Sequence, residues 1–202
     1  MRVLKHDKYR AILKTARNEF IQKGFKDASM RSIAREANVG LSNIYNYFRN
    51  KDEIFLEIVT PARDHLFAFV KEQHTEKYID FNFMSTIEYQ EEIVEEYIQL
   101  LIKYREELRL LLFHSQGSSM ENFRETLIEY LSSVSNYHKE LIKKHYPQVK
   151  DVSPFFTHAL CAFMVSTVGE IITHNLEEQK IKEFFREYFR FQIAGWREIT
   201  GL

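Results

Sequence analysis

Cysteine is nearly absent from this chain, with Cys161 alone among 202 residues. A single thiol closes no internal disulfide and has no CxxC neighbour to begin a structural zinc site, which fits a reducing compartment. Prolines number three and glycines six, and period-two alternation of β-branched residues is scarce. Apolar residues recur instead at three- and four-residue spacing, so the expected fold is all-α. No apolar run approaches the length of a membrane span, and the start MRVLKHDKYR is charged with no apolar segment behind it. Neither a signal peptide nor a transmembrane helix is expected, and the expected setting is cytoplasmic, with no membrane partner.

Catalytic signatures are equally scarce. No glycine-rich phosphate loop, HExxH or GxSxG occurs. Cys161 with His158 three residues before it reads as one face of a helix rather than as nucleophile and base. His138 and His145 lie seven apart without the close carboxylate and histidine set of a metal site. The stretch HSQGSSM looks like a helix connection with serine caps. No enzyme activity, cofactor or metal is expected.

What the chain does hold is 45% hydrophobic and 14% aromatic residues, enough for one or two domains with a sizeable core. Its net charge of -1 conceals a division. Residues 1–51 carry 12 Lys and Arg against 4 Asp and Glu, or +8, whereas residues 52–202 carry 16 against 25, or -9. One module faces a polyanion and the other does not.

In the first module the spacing predicts a helix from about Asp7 to Lys23. Its apolar face is Ile12, Leu13, Ala16 and Phe20, its other face the basic Lys5, Lys8, Arg10, Lys14 and Arg17, and Gly24 stands at a left-handed cap. Ser29 reads as the N-cap of a short helix over Met30 to Ala37. Asn38-Val39-Gly40 is a tight turn that tolerates positive φ, and a second short helix follows over Leu41 to Phe48. Asn50 with Glu53 resembles a capping box, so a long helix should begin near Lys51 and bend or end at Pro61. Further helices are expected at about 63–77, 84–104, 106–114, 120–145, 153–175 and 179–200.

A helix, a short helix, a tight turn and a second short helix form the order of a helix-turn-helix, whose last member enters the major groove. Leu41 to Tyr47 spans about 10 Å, matched to a groove about 12 Å wide. Ile44 and Phe48 anchor this segment, leaving Ser42, Asn43, Asn46 and Tyr47 outward. Asparagine presents donor and acceptor together to an adenine edge, while serine and tyrosine hydroxyls suit phosphates or bridging water. Lys51 would add a phosphate cation.

Residues 9 to 57, AILKTARNEFIQKGFKDASMRSIAREANVGLSNIYNYFRNKDEIF with its flanks, resemble the TetR family of bacterial transcriptional repressors. The match includes Gly-Phe, a Ser/Thr before the second helix, Ile-Ala, Ala-x-Val, Tyr-x-Tyr-Phe and x-Lys-x-Glu-Ile. The resemblance places DNA contacts on Ser29, Arg31, Leu41, Ser42, Asn43, Tyr45, Asn46, Tyr47 and Lys51. Asn38 departs from the usual glycine of the turn. Leu41 and Ser42 stand where lysine or proline and glycine are common, which shifts the base preference rather than the fold.

The resemblance further implies an N-terminal three-helix DNA-binding domain, residues 1–51, followed by a helical ligand-binding and dimerisation domain, residues 52–202. It implies a repressor that binds a double-stranded palindromic operator as a homodimer and leaves it on binding a small effector. The aromatic content favours a hydrophobic one. The sequence supports a dimer independently, because the last helix is too widely aromatic and the one before it too apolar for a single neighbour to bury. Phe163, Gly169, Phe184, Tyr188, Phe191 and Trp196 are the candidate interface. Polar or aromatic residues on inward faces, His65, Tyr97, Tyr104, His114, Tyr130, Tyr137 and His158, are candidate pocket residues. A constitutive DNA-binding or assembly module without a small ligand is the alternative.

Overall fold

A computed structural model describes residues 2–202, except for the side chains of residues 2–5 and 81. Lys5 of the expected basic face therefore lies outside the described side chains. Among the described residues there is no strand, and the helices are α1 (Arg2–Asp27), α2 (Met30–Glu36), α3 (Leu41–Ile44), α4 (Lys51–Glu72), α5 (Phe81–Met84), α6 (Ile87–Lys103), α7 (Arg105–Phe113), α8 (Phe123–His145), α9 (Pro154–Thr173) and α10 (Glu178–Thr200).

The chain divides into two compact units, residues 1–64 with 106–124 and residues 65–105 with 125–202. In the first, Ile12, Ala16 and Phe20 of α1, Ile33 and Ala34 of α2, Ile44 and Phe48 around α3, and Ile54 and Phe55 of α4 are buried. Phe20, Phe25 and Phe55 form a triangle of rings with centroids 5.1 to 5.8 Å apart.

Gly24 interrupts α1 at φ 73°, ψ 170°, a region that is essentially glycine's own. Its break turns the chain so that the Phe25 amide donates to the His114 carbonyl at 2.9 Å. Asn38 takes a positive φ in the turn after α2, 52°, and Ser29 caps α2 as expected, accepting from the Ser32 amide at 3.5 Å.

Pro61 does not end its helix. Lys51–Glu72 is continuous across it, because a proline in a helix removes one hydrogen bond, and Pro61 keeps its ring exposed. The separate helix expected from residue 63 is thus the second half of α4. The helix expected over Leu41 to Phe48 is also shorter: regular structure ends at Ile44, and turn bonds from Tyr47 and Phe48 to the Ile44 carbonyl, 2.9 and 3.0 Å, carry the chain on.

In the second unit α6 packs along α10. Tyr97 sits on Phe185 with ring centroids 4.8 Å apart, and Arg186 grips Glu91 through two bonds of 2.5 and 2.6 Å. Ser153 caps α9, accepting from the Phe156 amide, with Pro154 in the first turn.

Helix α9 corrects the expectation that no apolar run approaches the length of a membrane span, by length and composition alone. Its 20 residues have a mean hydropathy of 1.6 over their most apolar window, enough by length and composition to cross a membrane. Alanines, threonines and one histidine break the visual run in PFFTHALCAFMVSTVGEIIT without lowering its mean. Only a third of that window is buried within the chain.

Candidate functional site

Helix α3 exists because two apolar residues four apart, Ile44 and Phe48, are buried and the extended Gly40 starts it. Ser42, Tyr45 and Asn46 are exposed, while Leu41, Asn43 and Tyr47 are half-buried. The two asparagines hold each other, Asn46 Nδ2 donating to Asn43 Oδ1 at 3.2 Å. As oriented, that bond leaves Asn43 a free amide donor and Asn46 a free carbonyl acceptor, the pair of groups that an adenine edge accepts.

Tyr47 is less free than expected, since its ring lies 6.2 Å from that of Tyr9, which also stacks on Phe48 at 5.3 Å. Tyr9 in turn donates to Glu57 at 2.5 Å. Burial first, then that carboxylate, push the Tyr9 hydroxyl up to about 12, so it stays a donor and fixes α1 against α4. Ser29 and Arg31 are exposed at the start of α2.

Glu19, which the sequence did not single out, seats α2. Its buried carboxylate accepts from the Ser29 amide at 3.2 Å, the Ser32 hydroxyl at 3.2 Å and Lys23 at 2.8 Å. Desolvation raises its pKa, but these bonds and the lysine charge outweigh it and hold the carboxyl below its usual value. A negative charge at a helix N-terminus is favourable in itself. The signal was present in principle: an acid placed ten residues before an N-cap, on the face that α1 would otherwise keep apolar.

Lys51 is the clearest departure. Its ammonium does not stand free for a phosphate; it donates to the carbonyls of Phe25, Lys26 and Ala28 at 2.6, 3.2 and 3.0 Å and lies 4.4 Å from the Phe25 ring centre. The end of α1 leaves carbonyls without helical partners, and a cation is what they attract. Asn50 caps α4 by accepting from the Glu53 amide at 2.8 Å, and Glu53 accepts from the Arg49 amide, one residue earlier than a strict capping box.

The second unit contains a cavity of about 340 Å³ lined by residues from the end of α4, α6, α8, α9, α10 and the turn before α9. Its walls are mainly apolar and aromatic. Of the expected pocket residues it includes Tyr97 alone. His65 borders a separate recess with Phe69 and Lys103, beside Tyr104 at 5.4 Å. His114 belongs to the first unit, Tyr130 packs on Phe67, Tyr137 is 63% exposed, and His158 is exposed beside Ser132. These six were picked by inward position on isolated helices, whereas the cavity forms where several helix ends meet.

Two histidines the sequence did not offer for the pocket line it: His74 and His138, ring centroids 5.6 Å apart. His74 Nδ1 lies 2.7 Å from the Val70 carbonyl and so carries its proton; Nε2 accepts from the Ser135 hydroxyl at 3.0 Å. Burial lowers the pKa of both, and facing His74 helps bring His138 to about 4. Both rings are neutral at pH 7.

A group whose folded pKa lies below its unfolded value binds more protons when unfolded, so stability falls as pH drops through that interval. For His138 the interval runs from 6.5 to about 4, equivalent to about 3 kcal/mol at its lower end. Urea midpoints should therefore decline from pH 7 to pH 4.5, and His138→Phe should flatten that decline. An unaltered slope in the variant would exclude His138 as its source.

The candidate dimer residues divide. Phe163 of α9 and Phe191 of α10 are 50% and 65% exposed, and Phe155 and Phe156 at the start of α9 are also exposed. Phe184 is half-buried. Gly169 is buried, on the inner face of α9, and so lies away from the outer surface where it was expected. Tyr188 and Trp196 line the cavity; burial, only partly opposed by its bond from Gln192, pushes the Tyr188 hydroxyl up to about 12.

Taken together, an all-helical chain whose first unit presents α3 on a two-residue apolar anchor, after a tight Asn-Val-Gly turn, has the build of a helix-turn-helix regulator. Residues 12–58 match the family model described as bacterial regulatory proteins, tetR family. A HTH-type transcriptional regulator of Bacillus subtilis (strain 168), YhgD, is 44% identical over 54 residues, 27% of this chain and 28% of that one. The chain aligns with about a quarter of the length of the first curated relatives it matches. A transcriptional regulator from Aquifex aeolicus VF5 has the same fold, with a TM-score of 0.59 at 20% identity, over 91% of this chain and 98% of that one. NalD of Pseudomonas aeruginosa, the secondary repressor of the MexAB-OprM multidrug efflux pump, is similar at TM-score 0.58 and 18% identity, over 92% and 96%. Residues 12–58 thus match the N-terminal domain of the tetR family, and the chain as a whole has the fold of these solved regulators.

Proposed function

We propose that this protein is a ligand-responsive transcriptional regulator, a repressor that binds a palindromic operator as a homodimer and releases it when a small effector occupies the cavity. The observation that carries the DNA-binding part is the exposed edge of α3, where Asn43 and Asn46 lock one another and offer one donor and one acceptor outward. The +8 charge of residues 1–51 supports a polyanionic partner, and the second unit, residues 65–105 with 125–202, then serves effector binding and dimerisation. The exposed aromatic face of α9 and α10 supports pairing with a second copy, which would set two α3 segments about 34 Å apart on successive major grooves. The single helix α4 begins in the first unit and leads directly into Gln73 and His74 of the cavity lining, which makes it the proposed lever between effector and DNA.

The test begins with DNA fragments selected by the purified protein. Asn43→Ala and Asn46→Ala should each weaken the selected site by about 1–3 kcal/mol and relax preference at one base. Lys51→Met should lower the melting temperature while leaving the salt slope of binding unchanged, as befits a residue spent on carbonyls. A slope reduced by about 1 would instead make Lys51 a phosphate contact. Operator affinity untouched by both asparagine variants would defeat the assignment of α3.

A further inference from the structure

The cavity of the second unit is apolar within and cationic at one end. Its inner wall includes Leu131, Met164, Phe189 and Ile193; its charged lining is Lys139, Lys143 and Lys150 against Glu140 and Asp151, one positive charge in excess. The lysines are not equivalent. Lys143 is matched by Asp151 at 2.5 Å. Lys139 donates only to neutral oxygens, the Val152 carbonyl at 3.1 Å and the Thr157 hydroxyl at 2.8 Å, and has no ion-pair partner within 4.0 Å among the described residues.

An ammonium has three donors, so one of Lys139's remains. Desolvation lowers its pKa, with the more distant Glu140 and Asp151 opposing that only in part. The acceptors that hold it belong to the first turn of α9 and the residue before its cap, and a 20-residue helix adds positive potential at its N-terminus. A partly desolvated cation without a counter-charge, at the edge of an apolar chamber, is incomplete by the ordinary rule that such charges are paired.

We infer that the effector of this protein is an amphipathic monocarboxylate, its apolar body in the chamber and its carboxylate on Lys139. This rests on the reading of the cavity as an effector site and specifies its chemistry. The volume, about 340 Å³, is at the small end of the roughly 300–1,000 Å³ of small-molecule pockets, so the body is a single short chain or ring. A carboxylate accepts the third Lys139 proton as a charge-assisted bond. A cationic head meets repulsion, and a neutral head forfeits the ion pair.

The experiment measures binding of decanoate, 1-decanol and decylamine to the full chain by calorimetry, with melting temperature as a second readout. Decanoate should bind at least about tenfold more tightly than either, as a charge-assisted hydrogen bond commands, and raise the melting temperature. In Lys139→Met, which keeps the aliphatic stem, decanoate should fall to the level of decanol while decanol is unchanged. In Lys139→Arg the preference should persist. Equal binding of decanol or decylamine to the wild type, binding of none of the three, or a preference that survives Lys139→Met would each overturn the inference, and the wild-type ranking stands alone if the variant does not fold. Decanoate that binds through Lys139 yet leaves operator affinity unchanged supports this assignment and counts against ligand control of DNA binding.

Discussion

Phe55→Ala is expected to lower the unfolding free energy by about 3–5 kcal/mol, the range for deleting a fully buried aromatic ring. Phe55 has no exposed surface and meets Phe20 edge-on at 5.3 Å and Phe25 at 5.1 Å. Each of those rings has a second duty. Phe20 shares the buried face of α1 with Ile12 and Ala16, and Phe25 is the ring over which Lys51 sits. Emptying the centre of this triangle therefore loosens the seat of α3 and the α1 terminus together. Urea denaturation followed by circular dichroism gives the stability, and loss of binding to every DNA sequence, not only the preferred one, should accompany it. Phe55→Leu should cost less than half as much, since most of the volume is kept. A cost below about 1 kcal/mol for the alanine variant would mean that the surrounding rings collapse into the space.

The second large effect concerns association. Phe163→Glu combined with Phe191→Glu should convert a dimer into a monomer with little loss of fold in the separate chains, because both rings are at least half exposed within one chain. Sedimentation velocity reads the mass directly. Operator affinity should fall by about 10² to 10⁴, the gain that linking two recognition modules supplies. A wild-type protein that sediments as a monomer would remove the dimer from the proposal outright. A double variant that stays dimeric would move the interface off this face.

The first unit was readable in the sequence because its rules are local. Ile44 and Phe48 at four-residue spacing, Ser29 before Met30, and Asn38 in a turn that demands positive φ each follow from a few neighbouring residues. What escaped was whatever joins residues far apart in the chain. Glu19 reads as one more charge on α1 until α2 folds back onto it. Lys51 reads as a phosphate ligand until the Phe25, Lys26 and Ala28 carbonyls, some 25 residues earlier, come to meet it.

The cavity was the least legible part for the same reason. His74 and Ser135 are 61 residues apart and join through one hydrogen bond; Lys139 reaches Thr157 across the turn before α9. Helical periodicity says which face of a helix points inward, not which inward faces fail to touch. Tyr97 was found because α6 buries it against Phe185, whereas Tyr137, on an apparently similar spacing, lies outside.

Pro61 gives α4 a seam. A proline has no amide hydrogen, so the Glu57 carbonyl lacks the donor that would normally reach it from four residues on, three residues before the chain passes from one compact unit to the other. Helical cooperativity propagates rung by rung, and a missing rung lets fraying stop there. The turn-by-turn melting of one half of α4 need not spread into the other, so each unit can open and close as its own cooperative block although a single unbroken helix runs through both.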